Sequence, residues 1–299
     1  MTPGAILYRL RKKLGHGLST AYYRDIVRPR ILKTSPVYSL PGQTCEIHVL
    51  TSAGDWLNLV WTLKSFYRFS QRNYGLCIHD DGTLPPDALA TLHEHFPAAR
   101  FIGRKEADAA VLPELSGFPR CLELRRTNTL SLKLFDFRHY MQASRMLLID
   151  SDILFFSEPT ELLRRIDDPN YHLNSVNADA ATTYTAEPAT VAERFGFELG
   201  PCFNSGLGLI HPESLRLDWI EEFLSLPGIL GHFWRIEQTL FALCSFRYGA
   251  ELLPEEYRVK LDGESRFCCK HYVGPIRHHM YGQGIPRLLR GGFLTAARA

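Results

Sequence analysis

A chain of 299 residues with 45% hydrophobic and 22% charged side chains is long enough to bury a substantial core, and no run in it approaches the roughly 18 uninterrupted apolar residues of a membrane span. Its 34 Lys and Arg against 32 Asp and Glu leave a formal charge of +2, which gives no reason to expect nucleic acid as the main partner. Seven cysteines without regular spacing argue against a disulfide framework, and the N-terminus lacks the apolar stretch of a secretory signal, so a cytoplasmic protein with free thiols is expected.

Charge is uneven along the chain. Residues 1–44 carry eight basic side chains (Arg9, Arg11, Lys12, Lys13, Arg24, Arg28, Arg30 and Lys33) and one acid, Asp25. Ile6, Leu7, Leu10 and Leu14 stand at helical spacing with the basic residues largely off that stripe. This predicts a short basic amphipathic helix, suited either to an anionic lipid surface at the inner membrane face or to docking on the main domain. Pro29, Pro36, Pro41 and Gly42 then mark a boundary near residue 45.

Cys45 to Thr51 reads as a strand, Ser52-Ala-Gly-Asp55 as a loop with a helix-capping acid, and Leu57 to Tyr67 as a helix. A second strand from Tyr74 to His79 ends in Asp80-Asp81-Gly82; a helix from Pro86 to Phe96 and a short strand from Arg100 to Gly103 follow. Strand, loop and helix in repetition predict parallel strands joined by crossovers. A helical pattern from Thr129 to Tyr140 leads into Met146-Leu-Leu-Ile149, an apolar strand that runs into Asp150-Ser151-Asp152. Two carboxylates one residue apart at the end of a parallel strand lie where open α/β folds place ligands, and they can share one hard divalent cation.

Beyond that point a helix is expected around Glu161 to Ile166. Residues 174–200 are polar and read as a long loop of the kind that forms a lid or substrate wall. Asn204-Ser205-Gly206 reads as a turn opening a strand that reaches His211, its small residues fitting a close approach of backbone to something bulky. Helices follow through Trp219 to Phe223 and from Ile236 to Leu243, and the apolar stripe of the second does not account for Glu237-Gln238 in its first turn. From Phe267 to His279 the chain combines a short strand, a Gly274-Pro275 turn and clustered cationic side chains. His271 is the best candidate to join the two aspartates, and an imidazole there would shift the choice of ion from magnesium toward manganese. Lys270 or Arg277 could hold the phosphates such an ion bridges.

Taken in order, these motifs resemble the family 8 glycosyltransferases, the group that includes glycogenin and bacterial lipooligosaccharide galactosyltransferases, over most of residues 45–282. Ser131-Leu-Lys133-Leu-Phe-Asp136 followed by Leu148-Ile-Asp150-Ser-Asp152 resembles that family's helix and Asp-x-Asp block. Phe203-Asn204-Ser205-Gly206 with Leu209 resembles its Asn-Ser/Ala-Gly strand, and Glu237-Gln238 its Asp-Gln pair. His271-Tyr-Val-Gly274-Pro-Ile-Arg277 is similar to its His-Phe-x-Gly-x-x-Lys-Pro-Trp segment.

The resemblance implies a GT-A type nucleotide-diphospho-sugar transferase fold, an α/β architecture with a Rossmann-like mixed sheet flanked by helices. One principal domain, residues 45–290, would lie between a basic N-terminal extension at 1–44 and a tail at 291–299. The implied reaction moves a sugar from a nucleotide-diphosphate donor, most simply a UDP-sugar, to a hydroxyl of a glycan, lipid-linked or small-molecule acceptor with retention of configuration. In that reading Asp150, Asp152 and His271 hold Mn2+ or Mg2+, Lys133 meets donor sugar or phosphate, and Asp152 also meets the ribose. Glu237 binds sugar hydroxyls, Gln238 lies near the anomeric carbon and Asn204 completes the sugar pocket. Thr51, Ser52 and one of Asp80 or Asp81 surround the nucleoside, while Gly274 and Arg277 face the phosphates.

The chain departs from the pattern at Glu237, which replaces Asp and adds a methylene, and at Arg277-His278-His279, which replaces Lys-Pro-Trp. A carboxylate such as Glu237 or Asp179 acting as base would permit inversion instead. Haloacid-dehalogenase-like phosphatases also use an apolar strand running into Asp-x-Asp, with a role for Asp150 as nucleophile. That motif opens its domain and carries Thr or Val two positions after the second Asp, where Leu154 stands here. A catalytically inactive nucleotide-sugar-binding scaffold would be marked by loss of a metal ligand, and all three are present.

Overall fold

Apolar runs short enough for strands alternate with amphipathic stretches long enough for helices from residue 46 onward, and this alternation builds a sheet covered on both faces. The computed structural model describes residues 14–42, 44–261 and 267–296, so the basic stretch before Leu14 lies outside the described residues. Its strands are β1 (Glu46–Thr51), β2 (Gly75–Asp80), β3 (Arg100–Ile102), β4 (Met146–Ile149), β5 (Ile153–Phe155), β6 (Asn174–Ala178), β7 (Phe203–Ile210), β8 (Ala250–Leu252) and β9 (Cys269–His271). Among the described residues seven of them form one sheet in the order β3-β2-β1-β4-β7-β6-β8. β3, β2, β1 and β4 run parallel, and β7 is antiparallel to both its neighbours, β4 and β6. β5 and β9 pair antiparallel as a separate ribbon.

Because successive strand side chains point to opposite faces, β4 feeds two cores. Leu147 and Ile149 join Val49, Trp61, Leu63, Phe66 and Phe155 on one side. Met146 and Leu148 join Phe137, Phe203, Ile220 and Phe241 on the other. The helix Trp56–Ser70 is buried along nearly its whole length and ends on Gln71 at φ 51, a left-handed cap taken by a residue other than glycine. Val27, Ile31 and Phe293, from the two ends of the described chain, enter the same core as Trp61. None of the described helices is long and apolar enough to cross a membrane.

Three expectations are corrected. The stretch expected as a loop from residue 174 begins with β6, an interior strand, and contains the helix Pro188–Phe195. Its polarity hid it, because the polar groups are consumed inside the protein. Asn174 Nδ2 donates to Ser214 Oγ (2.9 Å) and Ser245 Oγ (3.0 Å), its Oδ1 accepts from His211 N (2.8 Å), and Asn177 Oδ1 accepts from Leu207 N (3.2 Å). Asn204-Ser205-Gly206 is no turn but lies within β7. Asp55 sits at the helix N-cap without capping through its side chain; its carboxylate is taken by Arg277 Nη1 at 3.1 Å.

Candidate metal and diphosphate site

β4 ends at Ile149, and the backbone of Asp150 is tied to β7 by a hydrogen bond from Asp150 N to Gly206 O (2.7 Å). The chain then reverses through Ser151 and Asp152 into β5, whose register with β9 sets Ile153 opposite His271. Tyr272 N donates to Asp152 O at 2.9 Å, which locks the two segments together. Strand pairing therefore delivers an imidazole, from residue 271, against carboxylates from 150 and 152. His271 Nε2 lies 3.0 Å from Asp152 Oδ1 and 3.8 Å from Asp150 Oδ2.

Two features of β7 hold that ring in place. A Cβ built on Gly206 would overlap the His271 ring, so only glycine allows the imidazole to settle on the strand. Asn204 Oδ1 accepts from Gly206 N (3.0 Å) and faces His271 Nδ1 at 3.0 Å, so Nδ1 is the donor and Nε2 is the nitrogen turned to the carboxylates. Donors placed cis on an octahedral ion at about 2.1 Å are roughly 3 Å apart. The ligand atoms of Asp150, Asp152 and His271 lie within 4.8 Å of one another, and two carboxylates with one neutral imidazole suit a hard or borderline divalent ion. The residues present fit such an ion.

The surrounding charges are balanced. Lys133 is buried on the helix Leu132–Tyr140; its Nζ donates to Asp150 Oδ1 (2.8 Å) and to Ser205 O (3.3 Å), and lies 3.0 Å from Glu237 Oε1. Burial works against its charge, but Asp150 and Glu237 outweigh it and raise its pKa. Glu237, buried and receiving Ser205 Oγ at 2.9 Å, is pushed up by burial against the pull of Lys133. Burial would raise Asp152 as well, yet His271 and Arg277 hold it at about 2. Burial pushes the His271 imidazolium down, and the Asp152 carboxylate against it reverses the balance, so its pKa is raised.

A cleft of about 380 Å³ opens above these groups, and Thr51, Ser52, Asp81, Lys133, Asp150, Asp152 and Arg277 line it together. The buried Thr51 hydroxyl finds no hydrogen-bond partner among the described residues. Both aspartates expected beside the nucleoside accept from their own loop, Asp80 from Gly82 N (2.8 Å) and Leu84 N (3.1 Å) and Asp81 Oδ1 from Thr83 N (2.9 Å) and Oγ1 (2.6 Å), but Asp81 lines the cleft and Asp80 does not. Arg277 is engaged by carboxylates, with Nη2 donating to Asp152 Oδ2 at 2.7 Å and Nη1 to Asp55. Gly274 is exposed and outside the lining, in the short 3-10 turn Gly274–Ile276 that sets the position of Arg277.

Asn204 and Gln238 sit one layer deeper. Asn204 Nδ2 donates to Asp179 Oδ2 (3.3 Å) and Gln238 Oε1 (3.4 Å), and Gln238 Nε2 donates to Asp179 Oδ2 (3.3 Å) and Thr183 Oγ1 (3.1 Å). Sequence reasoning missed Asp55 as a cleft residue and missed Phe233 and Trp234, which line the rim with 45% and 67% exposure. Two adjacent aromatics ahead of the Glu237 helix were a usable signal, since large exposed rings are uncommon away from binding surfaces.

No family model matches the chain, and no curated protein matches it. Its fold does match solved structures. Mouse xyloside xylosyltransferase 1, apo form, aligns at 12% identity over 81% of this chain and 99% of its own, with a TM-score of 0.53. The galactosyltransferase LgtC, in complex with donor and acceptor sugar analogues, aligns at 15% identity over 84% and 96%, with a TM-score of 0.51. The glycosyltransferase GlyE of Streptococcus pneumoniae TIGR4, apo form, aligns at 12% identity over 86% and 65%, with a TM-score of 0.50. At these identities the likeness carries the architecture alone: this chain has the mixed α/β fold of GT-A glycosyltransferases.

Proposed function

We propose that the protein is a metal-dependent glycosyltransferase of the family 8 kind, taking a sugar from a nucleotide-diphosphate donor, UDP-linked, to a hydroxyl acceptor. The observation that carries this reading is the convergence of Asp150 and Asp152, from the reversal after β4, with His271, from β9, at a cleft also bounded by Thr51, Ser52 and Asp81. A divalent ion held by those three, Mn2+ in preference to Mg2+, would neutralise the diphosphate leaving group. The chain's own residues supply the rest. Lys133 adds a fixed cation beside Asp150. Arg277 can exchange Asp55 for a phosphate, and its planar fork suits that ligand. Thr51, Ser52 and Asp81 offer hydroxyl and carboxylate groups to a nucleoside.

Retention of configuration belongs to the same proposal. Glu237 is committed to Lys133 and Ser205, and Asp179 accepts from the amides of Asn204 and Gln238, so neither stands as a free base for an inverting attack. We take residues 45–290 as the unit that carries the activity, flanked by 1–44 and 291–299, in a cytoplasmic protein. The test is a screen of UDP-, GDP- and TDP-sugars for Mn2+-dependent donor hydrolysis, which needs no acceptor. Hydrolysis of one donor class, lost in Asp150→Ala, is expected; no response to any donor with either ion would overturn the reading, and release of phosphate from a phosphomonoester would move it to the phosphatase class.

A further inference from the structure

A surface helix usually has one apolar face, and the helical run ahead of β1 has two. It starts as an α-helix at Leu18–Tyr22, continues through a π-helical turn at Tyr23–Val27 and ends as a 3-10 segment at Arg28–Lys33. One face is built into the protein. Ala21, Val27 and Ile31 are buried, Trp61 Nε1 donates to Arg28 O (2.9 Å), and Arg28 Nη1 donates to Asn58 Oδ1 (2.8 Å). The other face is bare. Leu18, Tyr22 and Ile26 are 75%, 48% and 54% exposed, and Leu14 just ahead of them is 38% exposed.

Those side chains stand four residues apart. Each step of four advances an α-helix by roughly 40° beyond a full turn. The wider π-turn rotates less per residue, which brings Ile26 back toward the line of Leu18 and Tyr22. The exposed side chains thus form a stripe rather than a scatter, on a helix whose other side is firmly anchored. Soluble surfaces normally show apolar residues singly.

Cations flank the stripe. Arg30 and Lys33 are exposed after it, and Arg9, Arg11, Lys12 and Lys13 precede it in the chain. The acid within it, Asp25, is bound by Arg24 at 2.8 Å. Pairing two copies of this face would bring like charges together, whereas an anionic lipid surface offers both an apolar layer and opposite charge. We infer that this stripe seats the protein in the plane of an anionic bilayer, as a peripheral and not a spanning contact. The helical run touches the segment that carries Arg277: the His16 ring stacks on His278 at 3.9 Å, and Arg28 and Tyr281 both bond Asn58. If the transferase reading holds, its acceptor is carried on lipid; the membrane contact itself does not depend on that reading.

Co-sedimentation of the full chain with phosphatidylcholine vesicles, with and without phosphatidylglycerol, tests it. Binding to the anionic vesicles is expected, weakened but not abolished by salt, with the triple substitution Leu18→Ser, Tyr22→Ser, Ile26→Ser lowering partition by about tenfold or more. Circular dichroism and Tm of that variant should match the parent, since none of the three is buried. The pair Arg30→Glu, Lys33→Glu, which leaves the stripe intact, should lower the preference for anionic lipid. Absence of binding to either vesicle, undiminished binding of the triple variant, or a lipid-free dimer that the triple variant dissociates would overturn the inference.

Discussion

Two groups of metal-ligand side chains occur among the described residues, and they differ in every respect that matters to chemistry. Asp150, Asp152 and His271 stand at a chain reversal beyond the end of β4, with Asp150 open to the cleft at 30% exposure. His48, Cys77 and His79 lie inside the sheet, wholly buried on β1 and β2, where the register pairs His48 with Cys77. Most of their polar atoms are spent on one another and on Glu46, while the buried His79 Nδ1 has no hydrogen-bond partner among the described residues. His48 faces Glu46 at 3.0 Å and His79 at 3.1 Å, Cys77 Sγ lies 3.3 Å from His79, and Arg100 Nη2 donates to Glu46 at 2.8 Å. The ring of Phe137 packs 4.5 Å from His79. Ligand-type residues become neighbours in any sheet through pleat and register; charge and access separate a site from a hydrogen-bonded core.

The two groups also titrate in opposite senses. Burial lowers His48 despite Glu46 and lowers His79 well below its ordinary value, whereas Asp152 raises His271. The unfolded chain binds protons near 6.5 that His48 and His79 refuse in the fold. Their contribution to stability is therefore present above that pH and falls below it. His271 behaves in reverse in the metal-free protein, adding stability below 6.5 that is lost as pH rises through its raised value.

The contrast is easiest to break at Asp150. Asp150→Asn should reduce Mn2+-dependent donor hydrolysis by about 100-fold or more. Mass spectrometry of the parent protein incubated with donor should detect no phospho-enzyme; a phosphoryl group found on Asp150 would make it a nucleophile and dissolve the metal reading. Gly206→Ala comes next, since the added methyl must displace the His271 ring. A loss of about 1–3 kcal/mol in denaturant unfolding is expected, together with weaker Mn2+ protection. Retention of full Mn2+ affinity would show that the imidazole is not a ligand.

The pH dependence of Tm without metal sharpens the comparison at a scale of up to about 1.4 kcal/mol per pH unit for each proton. His79→Gln should flatten the limb below 6.5 and His271→Gln the limb above it; the reverse assignment would contradict the environments described. Mn2+ protection should itself grow with pH as the imidazolium gives up its proton. The smallest effect belongs to the buried group. Cys77→Ala should cost about 1 kcal/mol and leave Mn2+ protection unchanged. Co2+ added to the parent should produce no thiolate charge-transfer absorption, and such a band would make the buried group a site after all.

Reading order followed from local chemistry. β1, β2 and β4 were legible because each is a short apolar run bounded by acidic or glycine-rich turns, and Asp150 and Asp152 were legible because they end one of those runs. Lys133, Asn204, Gln238 and His271 could be nominated from motif order. Their partners could not, and neither could β6, whose Asn174, Ser175 and Asn177 look like loop residues until Ser214 accepts from the first and Arg165 and Leu207 donate to the other two. The two-faced helix is the same case in reverse, since nothing in the spacing of Leu18, Tyr22 and Ile26 says which stripe the core will cover. Periodicity along a chain is set by the 3.6- and 2-residue repeats of its own backbone, so sequence by itself determined the elements and the order of the motifs. Whether a polar or apolar side chain ends buried, paired or bare depends on groups brought from distant residues, and only the tertiary structure decided that.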